Sequence, residues 1–103
     1  MVDLKILNFD WDEGNRYKCQ KHGLSIRQIE SLFKQENIFV ARDIFHSQTE
    51  LRFLAIGRIN NGRSVFVVFC LRNKEGKDSI RPVSARYMHG KEARKYEKKF
   101  TNT

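Results

Sequence analysis

The 103-residue chain has room for one hydrophobic core, and its 40% apolar content, with eight Phe, three Tyr and one Trp, excludes global disorder. A net charge of +8 and a pI near 9.8 point to a polyanionic partner, most often nucleic acid, although a soluble basic protein with no such role has the same composition. No apolar run approaches the ~20 residues of a membrane span, the first residues lack a secretory signal layout, and Cys19 and Cys70 make no disulfide framework, so the chain reads as cytoplasmic with reduced thiols.

Residues 4–9 alternate as a short first strand would. Asp12 can cap a helix running to about Lys21, and Gly23 supplies its stop. Ser25 and Gln28 have capping-box spacing, and Ile26, Ile29, Leu32 and Phe33 fall on one face, which predicts a second helix over 25–35. After Asn37 the period changes to two, and 38–45 and 51–59 read as strands. Asn61-Gly62 has the form of a two-residue hairpin turn. Residues 64–72 are apolar on both parities, the mark of a central strand covered on both faces. A polar turn over 73–78 leads to a last strand at 79–86. From Gly90 a terminal helix follows, with Ala93, Tyr96 and Phe100 in line. The order β-α-α-β-β-β-β-α predicts an α+β fold in one domain, residues 1–103: a mostly antiparallel sheet of about five strands with helices packed on it.

Metal chemistry finds little support. Cys19 and His22 have ligand-like spacing, but His46, His89 and Cys70 are isolated and form no second half of a zinc site. Residues 9–15, FDWDEGN, lack the terminal Glu of a calcium loop, and helix capping with an anchoring Trp11 explains them better. There is no phosphate loop and no dinucleotide fingerprint. Lys21-His22-Gly23 could meet a phosphate at a helix end, or simply cap that end.

Arginine is the informative residue. Arg52, Arg58, Arg63, Arg72, Arg81 and Arg86 all lie at strands or strand ends, which predicts a basic sheet face suited to phosphate. Arg81 and Arg86 are five apart, so a regular strand would point them to opposite faces. Pro82 between them cannot donate to a ladder and requires an edge or a bulge. A bulge would reset the parity and bring both arginines to one side.

Phe9-x-Trp11-Asp12-x-x-Asn15, Lys21-His22-Gly23-x-Ser25, Phe33, Asp43, Glu50-x-Arg52, Ile56-Gly57-Arg58, Gly62-Arg63, Ile80-Arg81-x-Val83-Ser84-Ala85-Arg86 and then Glu92, Arg94 and Tyr96 together resemble the BrnT-type toxins. These are the toxin halves of bacterial type II toxin–antitoxin pairs. The sequence departs at Pro82, where an aliphatic residue is usual, and at Ile26, where Phe is common. The resemblance implies a RelE-like fold and a ribonuclease that halts translation. It also implies a BrnA-type antitoxin that binds operator DNA through a ribbon-helix-helix module, so that the toxin meets that DNA only through its partner.

RNA can be cut without metal or cofactor if its 2′-hydroxyl attacks the adjacent phosphate, given a base, a phosphate clamp and a proton donor. On this reading Arg81 and Arg86 clamp the scissile phosphate with Arg52 and Arg72 beside them. Lys21, Arg58, Arg63 and Glu50 contact the RNA. Lys21, His22, Glu50 and Tyr96 are the groups able to shuttle protons, with His22 or Tyr96 favoured; Tyr96 fits the core equally well. The competing reading is a non-catalytic nucleic-acid- or partner-binding module that works through Lys95, Lys98 and Lys99 of the basic terminal helix.

Overall fold

A computed structural model describes residues 3–44 and 50–100, with side chains to residue 98. The predicted strand end at Phe45, the isolated His46 and the side chains of Lys99 and Phe100 lie outside the described residues.

The expected first strand is mostly something else. Asp3 accepts the Lys5 backbone N–H and folds Leu4–Ile6 into a 3-10 turn. Only Asn8–Phe9 (β1) remains extended, and it pairs parallel to the last strand. Helix α1, Glu13–Gln20, starts on a reciprocal cap: Asp12 Oδ1 accepts the Asn15 N–H at 2.9 Å, and Asn15 Oδ1 accepts the Asp12 N–H at 2.7 Å. Helix α2, Ile26–Phe33, starts on the same device made by Ser25 and Gln28. Between them Gly23 takes φ +97°, a conformation that a Cβ would strain.

Strands β2 (Phe39–Arg42), β3 (Arg52–Arg58), β4 (Ser64–Lys74) and β5 (Lys77–Tyr87) follow, and α3 (Gly90–Phe100) closes the chain. The sheet order is β1-β5-β4-β3-β2, antiparallel except at β1, and the doubly apolar β4 lies at its centre. The two turns exchange the characters expected of them. Asn60–Gly62 form a three-residue loop, closed by Ile59 N–H to Arg63 O at 3.0 Å, in which Gly62 alone has positive φ. The two-residue turn with both φ positive is Glu75-Gly76, so β4 and β5 run longer than predicted.

One face of the sheet buries Val65, Val67, Phe69, Ala55, Ile80 and Ala85 under Ile29, Leu32 and Phe33 of α2 and Cys19 of α1. The other face packs Ile56, Phe39, Phe66 and Met88 against Ala93 and Tyr96 of α3. Along β5 the register slips once: Val68 opposes Ser84 and Phe69 opposes Pro82, leaving Val83 unopposed. Of the edge and the bulge open to Pro82, this is the bulge. Beyond Ile80 the outer edge of β5 passes from β1 to α1, where Asn15 Nδ2 donates to the Pro82 carbonyl at 2.8 Å.

Candidate functional site

The bulge decides which way the arginines point. Arg81 opposes Cys70 and Arg86 opposes Phe66, and these β4 positions are four apart. Both arginines therefore share the α3 face, as they would not on a regular strand. Arg52 opposes Cys70 from β3, and Arg58 opposes Ser64, so they share that face too, with Arg72. Arg63, in the β3–β4 turn, does not.

Helix α3 covers only the half of this face that carries Arg58 and Arg86. Arg58 pairs with Glu97. Arg86 forms a fork on Glu92, Nη1 to Oε1 at 2.8 Å and Nη2 to Oε2 at 2.9 Å, with its guanidinium 4.6 Å from the centre of the Phe66 ring. The Arg86 guanidinium in turn holds the Glu92 carboxyl below its ordinary range.

The other half stays open as a cleft of about 320 Å³, lined by Lys18 of α1, Glu50, Arg52, Arg72, Arg81 and the bulge residue Val83. Glu50 is its organiser. One carboxylate oxygen accepts the Cys70 thiol at 2.8 Å, and both accept Arg72 Nη2, at 3.2 and 3.1 Å. Burial pushes the Cys70 thiol up, and the Glu50 hydrogen bond adds to that, so Cys70 stays a neutral donor. The thiol bond first, then Arg72 and Arg52, hold the Glu50 carboxyl below its ordinary range against the effect of partial burial. The Arg72 Nε–H is buried and has no hydrogen-bond partner among the described residues.

Arg81 enters from the opposite wall. Its Nη2 donates to Asp12 at 2.7 Å, and Nη1 lies 3.7 Å from Asp10. The Asn15 backbone N–H and then Arg81 hold the Asp12 carboxyl down. Four residues of β4 separate Arg81 from Arg86, roughly 13 Å at the strand rise. The two share a face but serve different carboxylates, and Arg86 is not part of the cleft wall.

Of the residues singled out from sequence, Arg52, Arg72, Arg81 and Glu50 come together. Lys21 and His22 are exposed beyond the C-terminal end of α1, away from the Arg81 cluster at its start. Tyr96 is half-buried, its ring 6.0 Å from that of Phe39, in the seam between α3 and the sheet. Sequence reasoning did not find Lys18 as a cleft residue, nor Asp12 and Glu92 as the anions of Arg81 and Arg86. The Asp12–Asn15 spacing signalled a cap, but nothing local signals an ion pair across 69 positions. Among the described residues, no group of three or more His, Cys, Asp or Glu side chains converges as a metal site needs, and no helix is long and apolar enough to cross a membrane.

The fold and the cleft define a class: a small α+β protein with an arginine-lined cleft, one carboxylate at its centre, on the open half of a mixed sheet. Residues 11–92 match the family model of the BrnT ribonuclease toxins of type II toxin–antitoxin systems, and the chain belongs to that family. Membership makes it a ribonuclease toxin of such a pair and implies a protein antitoxin as its partner. No curated protein matches the chain.

Proposed function

We propose that this toxin, a single domain of RelE-like fold, halts translation by metal-independent cleavage of mRNA in the cytoplasm. The observation that carries the reading is the convergence of one carboxylate, Glu50, with Arg52, Arg72 and Arg81 in one open cleft. Three guanidiniums match the charge that grows on a phosphorane, and being always protonated they cannot themselves accept a proton. One carboxylate amid three cations is a better proton acceptor than a cation site.

Glu50 takes the 2′-hydroxyl proton as that oxygen attacks phosphorus. The 5′-oxygen leaves with a proton from the Lys18 ammonium, and a 2′,3′-cyclic phosphate remains. A phosphate that competes for Arg72 removes one of the groups depressing Glu50, so substrate binding itself raises the basicity of the carboxylate. Arg86, on the same face, serves a neighbouring phosphate once Glu92 yields. His22 and Tyr96 lie outside this proton path.

A BrnA-type antitoxin with a ribbon-helix-helix module would neutralise the toxin by laying acidic residues over the same arginines, and would carry the complex to operator DNA. The test is incubation of folded, antitoxin-free protein with RNA in EDTA. Cyclic phosphate ends are expected, and their loss in Arg72→Ala and Glu50→Gln. Intact RNA with the unaltered protein would overturn the reading. Neutralising Lys95 and Lys98 of α3 discriminates the non-catalytic alternative, which predicts loss of RNA binding.

A further inference from the structure

A second cation cluster lies at the far end of α1. Tyr87, the last residue of β5, opposes Val65 and so faces the α1 side of the sheet. The Arg63 guanidinium lies over its ring, 3.7 Å from the centroid. Asn61 Nδ2 donates to the Tyr87 hydroxyl at 3.0 Å and fixes the ring from the same turn. The Lys21–Gly23 turn closes the third side, since a Cβ on Gly23 would sit 3.8 Å from Tyr87 Cε2. Unlike Arg72 and Arg81 of the cleft, Arg63 has no carboxylate partner among the described residues, and both it and Lys21 are exposed.

The two clusters are joined along one stripe of α1. Gly14 and Lys18 line the cleft, and Lys21 lies three residues beyond Lys18, on the same side of the helix. Tyr17, four residues before Lys21, leaves 72% of its surface in water. From Arg81, on the α3 face, to Tyr87, on the α1 face, the strand advances five β4 positions, roughly 16 Å along its axis, so a chain rounding the α1 edge spans at least about four or five stacked nucleotides.

We propose that this stripe is an RNA track leading out of the cleft. At its end Lys21 binds a phosphate and the outer face of the Arg63 guanidinium, held flat by Tyr87, stacks a base at least about four nucleotides from the scissile bond. The inference rests on the reading of the cleft as the RNA site. Its chemistry favours RNA over an acidic peptide, because a planar, aromatic-backed guanidinium offers a stacking surface that a carboxylate does not use.

Fluorescence anisotropy with non-cleavable 2′-O-methyl oligouridines tests it, using the full chain free of antitoxin. The Lys21→Ala/Arg63→Ala variant should lose about tenfold or more in affinity for a decamer and less than about twofold for a trinucleotide. Arg63→Lys, which keeps the charge and loses the plane, should fall between and guards against a folding defect. An unchanged ratio of decamer to trinucleotide affinity overturns the track. Wild-type affinity for both oligomers with lost antitoxin binding also overturns it, and assigns the surface to the protein partner. If Arg72→Ala leaves both trinucleotide binding and the cleavage of unmodified RNA intact, the cleft reading itself falls, a result separable from either of these.

Discussion

The Asn15 carboxamide and the Pro82 carbonyl are joined by a buried 2.8 Å hydrogen bond that spans 67 positions of sequence. The same side chain closes the α1 cap through Oδ1 and donates to the Asp10 carbonyl at 3.0 Å, with 5% of the residue exposed. It therefore ties the helix start, the Asp10–Asp12 segment that receives Arg81, and the bulge that aims Arg81. Asn15→Ala should cost about 2–4 kcal/mol in urea unfolding, through the lost cap and an unsatisfied buried carbonyl. Asn15→Asp should be worse, because its anion would face two carbonyl oxygens. Unchanged stability in both variants would separate the cap from the bulge.

Acid should unfold the protein through its arginine-paired carboxylates. Asp12, Glu50 and Glu92 all have folded values below their ordinary ones, caused chiefly by the Asn15 N–H, the Cys70 thiol and Arg86 respectively. The stability they contribute is complete above the unfolded values of about 4 and is lost as pH falls through the lowered folded values. Melting temperature should thus hold steady down to about pH 5 and drop below it. Glu92→Gln should start lower at neutral pH and show a shallower acid slope; a slope equal to wild type would remove the Arg86–Glu92 pair from the account.

Two glycines in the family-like segments should respond differently to alanine. A Cβ on Gly57 would stand 2.8 Å from Leu32 Cδ1 and 2.9 Å from Ile38 Cγ2, where β3 meets α2. Gly57→Ala should cost about 1–3 kcal/mol through overpacking. Gly62 has φ +83° and open space around the Cβ position, so Gly62→Ala should cost about 1 kcal/mol from backbone strain alone. Equal losses in the two chemical-denaturation curves would contradict this division.

Single-turnover cleavage should separate Glu50 from Tyr96. Glu50→Gln should slow the chemical step by about 10²–10⁴, the range of general-base loss. Tyr96→Phe keeps the ring against Phe39 and should leave the step within about threefold of wild type, an expectation that follows from its packed position. The reverse ranking would return the proton transfer to Tyr96.

Much of the fold is legible locally. The caps at Asp12 and Ser25 follow from residue type and spacing, and the doubly apolar run of β4 identifies the central strand. Pro82 called for an edge or a bulge, and the register slip beside it is the bulge. What failed was also local in origin: the Asp3 side chain captured the Lys5 amide and turned residues 4–6 away from the sheet, and Glu75-Gly76 took the two-residue turn expected at Asn61-Gly62. The lining of the candidate cleft was legible in its arginines and in Glu50, and not in Asp12, the anion that receives Arg81. Regular pairing places Arg52, Arg72 and Arg81 on one face, and the bulge adds Arg86 to it. Their pairing with Glu50 and Asp12 depends on strand order and on where α1 starts, which no window of sequence contains.

The self-pairing of these arginines has a consequence for how the molecule senses ionic strength. A lysine or arginine bare in water that neutralises a phosphate releases the cation condensed on the RNA, and that release makes affinity fall with salt. Arg81 and Arg86 are already occupied by Asp12 and Glu92, so a phosphate there frees a carboxylate that takes up a cation as the RNA sheds one. The salt sensitivity of RNA binding should then come from solvated cations such as Lys21 and Arg63, while Arg81 and Arg86 remain nearly indifferent to it.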